Sequence, residues 1–125
     1  ATGHQLMPGH PGFVLALRES FIQAHPEEAA KLVALHNRAT AFILANPRRA
    51  ALDAEDFIGK DMIPEQVMLA ALTSPYNPLT FDPQATIDGT EYMQNFQMEI
   101  GAQPKKVPTA DLFDFSFNEA AKGRH

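Results

Sequence analysis

Along this chain the spacing of apolar residues changes several times, and each change predicts an element boundary. The run "FVLAL" at 13–17 is continuously apolar. So short a run suits a buried strand as well as the opening of a helix, because periodicity does not separate the two. Helical spacing follows through Leu17, Phe21 and Ile22. From Pro26 the helical signal is strong. Proline's fixed φ suits the first helical position, and Glu27 and Glu28 complement the positive end of the helix dipole. Leu32, Leu35, Ala39, Phe42 and Ile43 then fall on one stripe, with Lys31, Asn37, Arg38 and Thr40 mostly off it. Asn46 followed by Pro47 should close this helix, since a residue preceding proline is pushed out of the α region.

A second helix is predicted from Pro47 to Phe57 or Ile58, with Gly59 as its terminator. A third runs from Pro64 to Leu72 and carries Val67, Met68, Ala71 and Leu72. The connection "TSPYNPLTFDP" at 73–83 holds three prolines and reads as irregular. A fourth helix opens with Asp82 as N-cap and Pro83 behind it. Its stripe is Ala85, Tyr92, Met93, Phe96 and Ile100, and Gly101 ends it. Gly89 in its interior costs about 1 kcal/mol relative to Ala, so a bare backbone should be needed there for packing.

Both ends are less regular. Residues 1–12 hold three Gly and two Pro and read as an extended entry segment. "AQPKKVP" is a linker. In "TADLFDFSFNEAAK" the alternation of Phe113, Phe115 and Phe117 is strand spacing, whereas 118–122 favour helix. The predicted fold class is therefore mostly α, with about four to six helices and at most one or two short strands. The domain division is 1–12 as entry segment and 13–125 as a helical body.

"HPEEAAKL" at 25–32 returns as "NPRRAALD" at 46–53, 21 residues later. Helical repeat families recur at about 33 or 34 residues, with hydrophobic signatures spanning each unit. Here only the helix start recurs, and it does so once. A helix N-terminus offers free N–H groups to an anion, but Glu27 and Glu28 oppose that use at the first start. Ordinary helix initiation accounts for both.

Composition narrows the function classes. At 125 residues the chain is one ordinary domain. Ten Lys and Arg against fifteen Asp and Glu give a net charge of −5, which argues against nucleic acid as a partner. There is no Cys, so disulfides, zinc–thiolate sites and thiol catalysis are excluded. No run approaches the ~20 consecutive apolar residues of a membrane span. A lone Ala, rather than Met, precedes "TGHQLMPGHPG". That start suits an excised fragment with a tag scar at residue 1, and it has neither the basic nor the apolar part of a signal peptide.

Catalytic and metal chemistry find no positive support. His4 and His10, in the doubled "GH" of the entry segment, lack both the one-turn helical spacing and the carboxylate of a metal site. His36 borders the apolar stripe and reads as a hydrogen-bonded core-edge residue; His25 reads as a cap-region residue. Asp53, Glu55, Asp56 and Asp61 do not match a calcium loop and read as a solvated helix face. Asp111 and Asp114 read as caps. Ser20, Ser74 and Ser116 lie in no nucleophile elbow, and no phosphate or dinucleotide loop occurs. Lys105–Lys106 is too short for a nucleic-acid patch. No catalytic residue, metal site or cofactor is predicted, and the protein is expected not to be an enzyme.

Taken in order, the pieces resemble a known family. "PGHPGFVLALRESFIQAHPEEAAKLVALHNRATAFILANPRRAAL", then "IPEQVMLAAL", "YMQNFQMEIG" and "VPTADLFDFSF", are similar to the C-terminal portion of periplasmic substrate-binding proteins of ABC transporters for nitrate, sulfonate, taurine and related solutes, a family that includes thiamine-precursor-like members. The resemblance covers most of 8–121. It implies a two-lobe α/β fold with ligand in the cleft, of which this chain is the helical part of one lobe. It implies a small anion or organic solute of the sulfonate, taurine, nitrate, bicarbonate or pyrimidine type, and an ABC permease as partner. It further implies a periplasmic or extracellular location, membrane-associated in the full-length parent. The expected ligand contacts are His10 and Gly12, with Arg18 behind them as anion partner. Nitrate-type relatives carry Lys where this chain has Gln23, which weakens a nitrate assignment. The alternative is a stand-alone helical interaction or dimerisation domain using Phe113, Phe115 and Phe117, with self-association of the fragment expected under either reading.

Overall fold

The structure, a computed structural model, describes residues 3–7, 9, 12–76, 78–80 and 83–118. Among these residues the regular structure is entirely helical. The elements are α1 (Gly3–Leu6), α2 (Glu19–Ala24), α3 (Pro26–Ala45), α4 (Pro47–Ile58), α5 (Glu65–Leu72), α6 (Pro83–Glu99) and α7 (Thr109–Leu112). The mostly-α expectation holds among the described residues, with seven helices, one more than the upper end of the range predicted, two of them, α1 and α7, only four residues long. The entry segment thus contains a helical turn. Residues 13–17 lie outside any helix or sheet, and the Arg18 that follows has extended backbone at φ −68°, ψ 136°. The stretch 111–117 is mixed: α7 ends at Leu112, Phe113 has extended backbone at φ −127°, ψ 131°, and a helical turn occupies 116–118. Asp82, expected as an N-cap, and most of the helix-favouring 118–122 lie outside the described residues. The chain forms two compact units, one of Ala1–His36 with Asp82–His125, the other of Asn37–Phe81.

In the second unit, Asn46 does what its place before proline predicts. Its N–H donates to the Phe42 carbonyl at 2.8 Å, and its own carbonyl accepts from Ala50 N–H at 2.9 Å. One residue therefore closes α3 and opens α4. Gly59 ends α4 at φ 106°, ψ 136°, a conformation that an L side chain rarely tolerates. Its N–H donates to the Glu55 carbonyl at 2.8 Å, and its carbonyl accepts from Met62 N–H at 3.0 Å, so the chain reverses there. Helices α4 and α5 then pack against each other, with Ala50 and Ala51 buried.

The hairpin is fastened by a carboxylate. The Glu55 side chain on α4 is nearly buried, and its Oε2 accepts from the Glu65 N–H at 2.5 Å. That amide is one of the free donors at the start of α5, whose N-cap is Pro64 and has no side-chain cap of its own. Lys60 Nζ lies 3.6 Å from Glu55 Oε1, and Arg48 Nε donates to Glu65 Oε1 at 3.2 Å. The expectation of a solvated acidic face is corrected at Glu55: it is one turn from the fully buried Ala51, so its position on α4 turns it toward α5. Asp53 and Asp56 remain exposed.

In the first unit, α6 carries the bare backbone predicted at Gly89. Gly89 is buried, and a Cβ placed on Gly9 would lie 3.6 Å from the Gly89 Cα and 3.6 Å from the Ala85 carbonyl oxygen. Glycine meets glycine at this contact, and Gly9 has φ +77°. The end of α6 is a Schellman motif. Ala102 N–H donates to the Gln97 carbonyl at 2.8 Å and Gly101 N–H to that of Met98 at 3.1 Å, with Gly101 at φ 74°.

Two predicted stripes are not the buried faces. On α3 the buried residues are Ala29 and Thr40, with Val33 and Asn37 half-buried between them. Leu32, Leu35 and Phe42 are exposed. On α6 the buried residues are Gly89, Thr90 and Gln94, whereas Tyr92, Phe96 and Ile100 are exposed. The buried residues of these two helices are small or polar, and the bulky apolar side chains lie on other faces. A helix apolar on two faces is one that a second layer must cover. Among the described residues the buried hydrophobic core is Ala29, Ala50 and Ala51 alone.

Two substitutions test these contacts. Glu55→Ala should destabilise the chain by about 1–3 kcal/mol, the cost of leaving a helix-start amide and Lys60 without their acceptor. Glu55→Gln, which keeps an acceptor oxygen, should lose less, and urea denaturation ranks the two. Gly89→Leu should cost about 1–3 kcal/mol by overpacking against Gly9, lowering the thermal midpoint even though Leu is the better helix former.

Candidate functional site

Two of the three sequence-predicted ligand contacts, Gly12 and Arg18, lie among the described residues. His10 lies outside the described residues. Gly12 is exposed in a bend, and a Cβ built on it meets nothing within 4 Å, so no crowding accounts for glycine there. Arg18 acts through its backbone: its carbonyl accepts from Phe21 N–H and Ile22 N–H, both at 3.0 Å, to start α2. Its side chain is exposed.

Other polar residues fall into structural roles. His25 closes α2, donating its N–H to the Phe21 carbonyl at 2.8 Å, with its ring 5.3 Å from that of Phe21. His36 is exposed and so is not at a core edge. Gln23 Nε2 donates to Glu19 Oε1 at 3.0 Å along α2. Arg49 pairs with Asp53 at 2.8 Å and Arg48 with Glu65, so both cations at the start of α4 are engaged by carboxylates. Asp114 is a cap as expected, its Oδ1 accepting from Ser116 N–H at 2.9 Å and Ser116 Oγ at 2.6 Å. Asp111 is not: it sits inside α7, whose N-cap is Pro108. Among the described residues no group of three or more His, Asp or Glu is placed to hold a metal ion.

The most developed polar cluster is one the sequence did not signal. Gln94, on α6, is only 4% exposed, and its amide clamps the returning chain at both ends. Its Nε2 donates to the Val107 carbonyl at 3.0 Å, while its Oε1 accepts from Val107 N–H at 2.7 Å. A side-chain amide here pairs with a backbone amide as a neighbouring strand would. Gln103 Nε2 donates to the same Oε1 at 3.0 Å and to the Lys105 carbonyl at 2.5 Å. Both the nitrogen and the oxygen of the Gln94 amide head are thereby engaged. One turn before it, the buried Thr90 Oγ1 has no hydrogen-bond partner.

The clamp fixes the segment that leads into α7 and so positions an open groove of about 490 Å³. Ile87, Thr109, Ala110, Phe113, Asp114 and Phe115 line it. Phe113 and Phe115 stack, centroids 5.4 Å apart and planes 9° apart. Phe113, Phe115 and Phe117 are half-buried, not the exposed row that the interaction-domain alternative requires. Nothing in this groove offers a nucleophile or a paired acid and base.

No protein family, curated protein or solved structure matches the chain. Among the described residues, no helix is long and apolar enough to cross a membrane.

Gln94→Ala should free 103–107 from α6. Leaving the Val107 N–H and carbonyl without partners should cost about 1–3 kcal/mol. Hydrogen exchange should show the Val107 amide losing its protection while the amides of α4 and α5 keep theirs.

Proposed function

We propose that this chain is the helical C-terminal part of one lobe of a two-lobe solute-binding protein that serves an ABC importer, with the rest of both lobes lying elsewhere in the same protein. The observation that carries this is the segment 13–17. It belongs to no helix or sheet, the Arg18 that follows it has extended backbone, and no backbone bond ties its N–H and carbonyl groups to the described chain. Phe13, Val14 and Leu15 are 97%, 60% and 44% exposed. A run apolar on both faces with free backbone groups has the character of an interior strand of a helix-covered sheet. It precedes α2 and α3 as the resemblance requires, and the uncovered large residues of α3 and α6 supply faces for such a sheet.

The activity proposed is reversible capture of a small anion or organic solute, of the sulfonate, taurine, nitrate, bicarbonate or pyrimidine type. The lobes close about the solute and the loaded protein is delivered to a permease, with no covalent step. The location proposed is periplasmic or extracellular, with the parent held at a membrane. Arg18 is suited to an anion, its guanidinium exposed at the junction of segment 13–17 and α2.

A stand-alone helical interaction domain is the second reading. It is favoured by the apolar cluster at the turn from α4 to α5, where Phe57 and Met62 are 92% and 74% exposed. Under that reading the full-length protein is a dimer by light scattering, and Phe57→Glu makes it a monomer.

Two measurements on the full-length protein test the first reading. Its melting temperature, scanned against taurine, an alkanesulfonate, nitrate, bicarbonate and a pyrimidine, should rise with one of them. A ligand at a hundred times its Kd stabilises by about 2.7 kcal/mol, and an unchanged melting temperature across the panel sinks the proposal. Separately, the amides of 14–17 should be protected from hydrogen exchange as those of a core strand are; exchange at the rate of an unfolded chain would show that no sheet receives this segment.

A further inference from the structure

We draw no further inference here: the strongest candidate, the open groove between α6 and the 109–115 segment lined by Ile87, Thr109 and the stacked Phe113 and Phe115, is an unpartnered apolar face, and nothing in the structure shows what covers it.

Discussion

Glu55 lends its carboxylate to the first amide of α5, and the α4–α5 hairpin is arranged about that bond. A helix start leaves N–H groups without partners, and this one follows a proline with no side chain able to accept. The acceptor therefore comes from ten residues upstream, across the reversal that Gly59 makes. The geometry is mutually dependent. Without Gly59 at its positive φ, Glu55 would not face Glu65, and without Glu55 the amide would lose its acceptor. In the other unit Gln94 serves the same purpose, supplying a donor and an acceptor to Val107 where no strand is present to do so. In both places a nearly buried side chain substitutes for backbone pairing, which makes each site intolerant of a residue that lacks the matching atoms.

These polar fastenings matter because the apolar core is thin. Burial stabilises in proportion to the area removed from water, about 25 cal/mol per Å², and the buried hydrophobic side chains here are alanines. The larger apolar residues lie elsewhere: Leu32, Leu35 and Phe42 on α3, Tyr92, Phe96 and Ile100 on α6, Phe13 to Leu15 on the segment before α2. Scattered exposed hydrophobics are ordinary in soluble proteins. Rows of them on two helices whose buried residues are small or polar are not. They are the surface expected of elements that belong in the middle of a layered fold, which is why the two-lobe reading calls for a sheet where the alternative calls for a second protein surface.

Helix existence and ends were legible because their causes are local. Pro26 and Pro47 open helices, Asn46 separates them, and Gly59 and Gly101 stop them through φ values that few other residues accept. Gly89 was legible for a subtler reason: a glycine kept inside a helix despite its propensity cost implies a close contact, and Gly9 makes it. Burial was less legible. The moment of a helix identifies its most apolar face, but contact is decided by which faces are smooth enough to approach one another. On α3 and α6 the buried residues are Ala, Gly, Thr and Gln. Glu55 was read as surface with the acidic residues around it, and Gln94, next to Asn95, drew no attention, because polar residues in polar company look like surface. The available signal was their spacing, Glu55 one turn from Ala51 and Gln94 one turn from Thr90.

The ligand contacts rest on the resemblance alone, without a local cause in the chain. A cleft residue acquires its role from what faces it, and Gly12 and Arg18 face solvent here. Arg18 nevertheless occupies a place set by the fold: its carbonyl is committed to two amides of α2, so its backbone is fixed while its side chain is free. Should a second lobe close over the start of α2, that guanidinium would lose water and gain an anion in the same step, and the anion's fit would be decided by the lobe that closes. Under the proposed two-lobe reading, solute identity would be a property of the closing surface rather than of the helices described here.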